Sequence, residues 1–196
     1  MALIREEGPD TSPTTSVTPN IAVGGVDCSV VLTAAGVFGG LFAHDAADEI
    51  TITGAGFSNK VQVTSFDSTQ SYINMLPVVA ESHIVAEHAA SYLCVVSISA
   101  ESVTAGAADE FGFGVFRNNG TVDGSGGYTN VHSHRKVGGG GGDTGSISLS
   151  GIIPIEVDDT IEVWVWNEDG TDNIVIDDIT ISLVMIGAGS AFLPLN

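Results

Sequence analysis

Basic side chains are scarce in this sequence. Lys and Arg together number 5, against 24 Asp and Glu, which gives a net charge of −19 at pH 7. A surface of that sign repels nucleic acid and anionic membranes on approach. We therefore expect no direct contact with nucleic acid and no membrane binding, and we interpret the acidic residues as a well-solvated exterior.

Cysteine and long apolar runs are scarce too. Cys28 and Cys94 are too few for a disulfide scaffold, so both are predicted to be free thiols. The uncharged run 28–43 is shorter than the roughly 20 residues that span a bilayer, and glycines interrupt it. The first residues turn acidic before an apolar core can form, so no secretory signal is predicted.

Helical periodicity is absent, and what is present instead is alternation. Val, Ile and Thr recur in short runs broken by Gly, Asn and Asp, as in residues 92–99 and 111–116. Gly112 and Gly114 alternate with apolar residues and are predicted to let either another backbone or a bulky ring come close. Eight or more such strands predict an all-β antiparallel β-sandwich of the jelly-roll type.

Residues 152–187 have the most regular pattern and are predicted to form one hairpin. Ile161, Val163 and Val165 are expected to face the core, and the intervening Trp164 and Trp166 the outer surface. The Asn-, Asp- and Gly-rich stretch 167–173 supplies the turn. Large apolar side chains on an outer face are unusual unless something covers them. The cover is predicted to be either the chain's own N-terminal segment or a subunit contact.

Residues 1–26 are rich in Pro, Thr and Ser and cannot bury enough surface to fold alone. They are predicted to form an extended N-terminal arm, with residues 27–196 as the jelly-roll domain. The arm is interpreted either as a disordered tail or as a segment that orders on a neighbouring subunit. The predicted subunit or capsid interface consists of Leu3, Ile4, Val17, Ile21, Val23, Trp164 and Trp166.

No catalytic, cofactor-binding or metal-binding residue is predicted. His132 and His134 share a strand face at a spacing that can bind a divalent metal, and the turn 168–172 has the carboxylates that calcium prefers. The histidine pair has no fixed third ligand, and the turn lacks the EF-hand spacing, so both possibilities stay open. The acidic pairs at 158–159 and 177–178 are expected in turns. No nucleophile elbow or phosphate-binding loop is present.

Four motifs in order resemble the tumour necrosis factor-like and complement-like jelly rolls, a family of compact trimers. They are residues 92–99 (YLCVVSIS), the hairpin 116–121 (FRNNGT), residues 147–165, and the closing strand 179–186. Ser91 and Asp158 stand where the family has glycine. Residues 41–52 are similar to the first strand of the versions carried by tailed bacteriophage virions.

This resemblance implies a function. The chain is expected to be a non-enzymatic homotrimer that decorates or cements a bacteriophage head by bridging subunits of the major capsid protein. It would be made in the host cytoplasm and lie on the outer capsid surface. The alternative is a fibre tip or receptor-binding head that contacts host glycans through the loops 119–127 and 138–142; a hydrolase is a third, weaker possibility.

Overall fold

The computed structural model describes residues 20–23, 26–29, 36–103, 108–118, 128–138 and 145–188. The chain divides into two units, Met1–Gly36 and Val37–Asn196. In the first unit, strand β1 (Asn20–Val23) pairs antiparallel with β2 (Val26–Ser29). The predicted extent of the arm, residues 1–26, stays a prediction.

The second unit consists of twelve described strands and two short 3₁₀ turns, Phe57–Asn59 and Val79–Glu81. In chain order the strands are β3 (Phe38–Ala43), β4 (Asp48–Ile50), β5 (Val61–Gln62), β6 (Ser68–Thr69), β7 (Met75–Val78), β8 (His83–Ala86), β9 (Ala90–Ser102), β10 (Ala108–Arg117), β11 (Tyr128–Gly138), β12 (Gly145–Ile155), β13 (Thr160–Asn167) and β14 (Ile174–Ala188). No helix within the described ranges has the length and apolar character to cross a membrane.

These strands form two antiparallel sheets of six. The first has the order β11, β10, β13, β8, β7, with β5 also paired to β13, and is called the β10 sheet below. The second has the order β12, β9, β14, β3, β6, with β4 also paired to β14, and is called the β9 sheet. The predicted all-β antiparallel sandwich is confirmed.

The core lies between the two sheets and follows the predicted alternation. One cluster of buried side chains contains Ile161 and Val163 from β13 together with Val96, Ile98 and Cys94 from β9. Cys94 is a free cysteine, as predicted, and its burial raises the pKa of the thiol to about 12. A thiol with that pKa stays protonated and unreactive at neutral pH.

The prediction that residues 152–187 form one hairpin is wrong. β13 pairs with β10 and β8 in one sheet, whereas β14 pairs with β9 and β3 in the other. Asn167 ends β13: its Oδ1 accepts hydrogen bonds from the backbone N–H of Asp169 (3.0 Å) and Gly170 (2.8 Å). Its Nδ2 donates to Asp109 Oδ2 at 2.6 Å. Turn-forming residues predict a change of direction, but the same residues serve a hairpin and a crossing between sheets.

The predicted pairing of β10 with β11 and the predicted turn at 158–159 are confirmed. β10 pairs antiparallel with β11, as the hairpin motif at 116–121 indicates, and Asn118 takes a left-handed φ of 56°. Asp158, at a position where the family has glycine, also has a left-handed φ of 67°. Asp159 holds this turn by accepting hydrogen bonds from Glu156 N (2.9 Å) and Asn118 Nδ2 (2.7 Å). The acidic pair 158–159 therefore serves the turn.

Candidate functional site

The outer face of the β10 sheet carries two cross-strand rows of aromatic residues and glycine. Read from β11 through β10 to β13, the rows are His134, Gly112, Trp166 and His132, Gly114, Trp164. The Trp166 indole lies over Gly112, where an added Cβ would overlap the ring. The prediction that the glycines of β10 admit a bulky ring is confirmed.

The segment 56–60 covers this face. The Phe57 ring meets Trp166 edge to face, with 5.0 Å between centroids, and stacks on Phe116 at 5.8 Å. Lys60 Nζ lies 5.1 to 5.5 Å from the ring centroids of Phe57, Phe116 and Trp164. Such edge-to-face and cation–π contacts add to the free energy of burying the rings. The result is a closed aromatic cluster on the outside of the sandwich.

Carboxylates complete the polar contacts of the two indoles. Trp166 Nε1 donates to Glu168 Oε1 at 2.6 Å, and Trp164 Nε1 donates to Glu162 Oε2 at 3.1 Å. Thr160 Oγ1 donates to the other oxygen of Glu162 at 2.6 Å. Glu162 is buried, so these donors replace the water that its carboxylate loses.

Both tryptophans lie outside the inter-sheet core, as predicted. Trp166 is nevertheless only 1% exposed, and Phe57, in the segment 56–60, packs on it. The predicted cover by the N-terminal segment lies outside the described residues and stays a prediction. Trp164 is half-buried. The assignment of the two indoles to a subunit or capsid interface stays a prediction, although Trp166 offers little accessible surface in the single chain.

The β9 sheet presents a different outer face, with an aliphatic row across four strands. Register aligns Ile152 on β12, Leu93 on β9, Val184 on β14 and Phe38 on β3. A further backbone bridge joins Phe38 to Ile73. Ile152 is 64% exposed and Val184 46%, so the row, which we call the aliphatic row, is open to solvent.

The two rows beside the aliphatic row are also uncharged. They consist of Ser150, Val95, Ser182, Gly40 and Ser148, Ser97, Thr180, Phe42. Together these three rows of four residues, which we call the charge-free face, carry no ionisable side chain. In a chain with 24 acidic residues, an uncharged sheet face of this size is an exception that requires a reason.

The alternation of residues 92–99 in the sequence already indicates this face. In residues 92–99 both alternating sets begin apolar: Tyr92 and Cys94 point inward, while Leu93 and Val95 point outward. A strand that is apolar on both sides is expected where both sides are covered. In the described chain one side of β9 packs in the core and the other lies open to solvent.

A histidine and two aspartates meet at the end of β3. His44 Nδ1 lies 2.5 Å from Asp178 Oδ1, and His44 Nε2 lies 3.4 Å from Asp45 Oδ2. The hydrogen bond to Asp178 and the charge of Asp45 raise the pKa of His44 above 6.5. The same hydrogen bond, with one from the Asp45 backbone N–H, lowers the pKa of Asp178. The pair joins the end of β3 to β14 beside the charge-free face.

This trio is also a group whose geometry could hold a metal ion, with ligand atoms within 4.8 Å of one another. The two ring nitrogens of His44 already face different carboxylates, so the arrangement is equally that of an ion-paired imidazolium. His132 and His134, the pair considered from sequence, have ring centroids 5.9 Å apart, and His134 lies 3.3 Å from Glu110. In the described ranges they belong to no three-ligand group.

The arm residues of the predicted interface lie largely outside the description. Leu3, Ile4 and Val17 are outside the described residues, and Ile21 and Val23 belong to β1, of which only the backbone is described. Their role in an interface stays a prediction.

Comparison with solved structures identifies the fold. No protein-family model matches the chain, and no curated protein matches its sequence. Among similar structures, Eiger TNF from S. frugiperda superposes with a TM-score of 0.55 at 12% identity, covering 83% of this chain and 98% of that one. The globular domain of the zebrafish complement 1qA protein gives a TM-score of 0.49 at 9% identity, covering 78% and 98%. The superposition on Eiger TNF shows that the chain has a TNF-like jelly-roll fold.

Proposed function

We propose that the chain is a non-enzymatic structural protein of a virion, a homotrimer that decorates the outside of a bacteriophage capsid and holds neighbouring capsid subunits together. The charge-free face of the β9 sheet is the observation that supports the trimer. Two copies that each bear a net charge of −19 repel each other in most orientations, and the repulsion is weakest where the approaching surfaces are uncharged.

Burial of the aliphatic row supplies the attraction. Leu93, Val184 and Ile152 are between 37% and 64% exposed in the single chain. Covering apolar surface contributes about 25 cal/mol for each Å² removed from water. The serine and threonine hydroxyls of the adjacent rows can form hydrogen bonds across a contact without the desolvation penalty of a charge. The TNF-like fold supports a closed ring of three, because jelly rolls of that family form compact trimers.

The virion role is supported by three features. Residues 41–52, which contribute to β3 and β4 at the edge of the β9 sheet, are similar to the first strand of virion versions of the fold. The acidic exterior suits a surface that faces away from packaged DNA. Three arms of residues 1–26 on one trimer would give multivalent attachment, which raises avidity without any new contact.

Deletion of residues 2–26 tests the attachment. We expect the shortened protein to remain a folded trimer but to lose binding to capsids in a pelleting assay with undecorated particles of the virus that encodes it. Val157→Lys is the matched control, because it adds a charge at an exposed position outside the charge-free face and leaves the arm intact, so it should still bind capsids. Full capsid occupancy by the shortened protein would contradict the proposed role of the arm.

Copy number separates decoration from receptor binding. A cement protein is expected at hundreds of copies in each particle, measured by quantitative gel of purified virions. A few copies for each particle would contradict decoration and favour the fibre-tip alternative, in which the loops 119–127 and 138–142 contact host glycans.

A further inference from the structure

His44, Asp45 and Asp178 bring one imidazole and two carboxylates together beside the charge-free face. His44 and Asp45 directly follow β3, and Asp178 lies on β14, the strand that pairs with β3. One ligand atom from each residue lies within 4.8 Å of the other two. His44 and Asp178 are 134 positions apart in the chain, so no local sequence pattern indicates this group.

Backbone contacts hold the turn after β3 against β14. Ala46 N–H donates to Asp177 O at 2.8 Å, and Asp45 N–H donates to Asp178 Oδ1 at 3.3 Å. Asp45 has a left-handed φ of 52°, and Ala47 one of 46°. Such a backbone conformation costs a non-glycine residue about 1–3 kcal/mol and persists only where the surrounding structure imposes it. The two carboxylates therefore have fixed positions relative to the imidazole.

The hydrogen bond between His44 and Asp178 determines which ring nitrogen is available. An ionised carboxylate only accepts hydrogen bonds, so the proton of the neutral imidazole lies on Nδ1, beside Asp178 Oδ1, and the lone pair lies on Nε2. Histidines that bind metal almost always donate their other N–H to a carboxylate, a carbonyl or water, which fixes the tautomer and raises the basicity of the ligating nitrogen. Asp178 makes the contact of such an orienting carboxylate.

His44 Nε2 faces Asp45 Oδ2 across 3.4 Å. This distance is longer than the roughly 2.7–3.2 Å of an N–H···O hydrogen bond. It matches the separation of two ligand atoms on one tetrahedral zinc ion, which is about 3.4 Å for bonds of about 2.1 Å. The side chains are 75% and 86% exposed, so an ion and its water ligands have access. The gap between the two atoms therefore fits a metal ion better than a shared proton.

The donor atoms favour zinc over calcium or magnesium. Imidazole nitrogen suits zinc and its neighbours in the first transition row, whereas calcium and magnesium take oxygen ligands. The net charge of −19 on the chain also raises the concentration of cations near its surface, but this general attraction does not select one ion. Selectivity for zinc is therefore the property that separates a site at His44 from diffuse attraction.

We propose that His44 Nε2 and Asp45 Oδ2 bind a Zn²⁺ ion, with water in the remaining coordination positions and Asp178 orienting the imidazole. All three residues belong to one chain, and none of them is part of the charge-free face. Zinc binding is therefore independent of the proposed trimer and of the virion role, and it is expected in a monomer as in a trimer.

Calorimetric titration of the full chain with Zn²⁺, after removal of metal with EDTA, tests the site. We expect a single ion for each chain. His44→Gln and Asp45→Asn should each weaken binding about tenfold or more, and Asp178→Asn should weaken it about 10–100-fold, the usual effect of losing an orienting carboxylate. His132→Gln combined with His134→Gln is the matched control, because this pair lies on the β10 sheet and its loss should leave zinc affinity unchanged.

Imidazole ¹⁵N NMR identifies the atoms. Zn²⁺ should shift the Nε2 signal of His44 more than its Nδ1 signal, and metal-free Asp178→Asn should show a mixture of the two neutral tautomers. Absence of Zn²⁺ binding, or binding that is unchanged in His44→Gln, would overturn the proposal. Calcium binding as tight as zinc binding would also overturn it, because diffuse attraction by acidic residues would then account for the effect.

Discussion

Trp166 packs directly on the backbone of Gly112, and this contact sets the outer surface of the β10 sheet. The indole can lie flat on β10 because the facing residue has no Cβ, and Phe57 then closes over its exposed edge. Trp166, which the sequence analysis assigned to an interface, therefore packs against residues of its own chain. The open surface lies on the other sheet, where Leu93 and Val184 have no cover from the described residues.

Gly112→Ala should lower the free energy of unfolding by about 1–3 kcal/mol, the usual cost of forcing an extra methyl into a packed site. The reason is overlap between the new Cβ and the Trp166 ring. Urea unfolding at fixed protein concentration measures this loss of stability. Gly187→Ala is the matched control, because nothing lies within 4 Å of a Cβ there. Equal stability of the two variants would contradict the packing described.

Phe57→Ala should uncover Trp166. We expect a red shift of Trp166 fluorescence in a Trp164→Phe background, and a loss of about 2 kcal/mol of stability, less than the 3–5 kcal/mol of a fully buried ring because Phe57 is half-buried. Tyr72→Ala removes an aromatic ring that is already 50% exposed and serves as the control. An unshifted emission spectrum in Phe57→Ala would mean that another segment covers the indole.

Asn167→Ala should destabilise the domain by about 1–3 kcal/mol, because it removes a buried side chain that accepts hydrogen bonds from two part-buried backbone N–H groups and donates to Asp109. The Asn167 side chain accepts hydrogen bonds from Asp169 and Gly170 in the turn after β13 and donates to the Asp172 carbonyl beyond them. Asp169→Ala, in the same turn but with an exposed side chain, should change stability by no more than about 0.5 kcal/mol. Thermal or urea unfolding of the two variants, Asn167→Ala and Asp169→Ala, measures this difference in stability.

The His44–Asp178 pair predicts a pH dependence with a defined sign. The pKa of His44 is raised above 6.5. Its contribution to folding stability is therefore fully present below pH 6.5 and is lost as the pH rises through the pKa of the folded state. The pKa of Asp178 is lowered below 3.8, so its contribution is present above pH 3.8 and is lost as the pH falls through the folded value. The pair therefore contributes most between about pH 4 and 6.5.

Replacement of His44 by Gln tests this. The stability difference between wild type and His44→Gln should be larger at pH 5.5 than at pH 8.5, and an NMR titration should place the pKa of His44 above that of an ordinary histidine. His88→Gln, at an exposed position, is the control and should show no such difference. A difference that grows towards pH 8.5 would contradict the assigned sign.

Much of the fold was predictable from sequence because alternation reports directly which side chains face the core. Ile161, Val163 and Val165 were assigned to the correct side, and the chemistry of the β10–β11 turn was sufficient to predict that hairpin. The pairing of β13 and β14 was not predictable in this way. Asn, Asp and Gly terminate a strand whether the chain returns along the same sheet or crosses to the other.

The candidate site was less predictable, for a different reason. Trp164 and Trp166 were correctly placed outside the core, but their cover comes from Phe57, more than a hundred residues earlier, and no local pattern reports such a contact. The charge-free face required register among β12, β9 and β14. β9 alone indicates a strand covered on both sides, but the three uncharged rows emerge only after the strands are aligned.

Self-association through the charge-free face is the central claim, and sedimentation equilibrium of the isolated protein tests it most directly. We predict a species of three times the 20.0 kDa chain mass. Leu93→Lys combined with Val184→Lys should reduce it to monomer, while Val157→Lys, exposed but outside this face, should leave it intact. A monomeric wild type across the whole concentration range, or a trimer unaffected by the double substitution, would contradict the account.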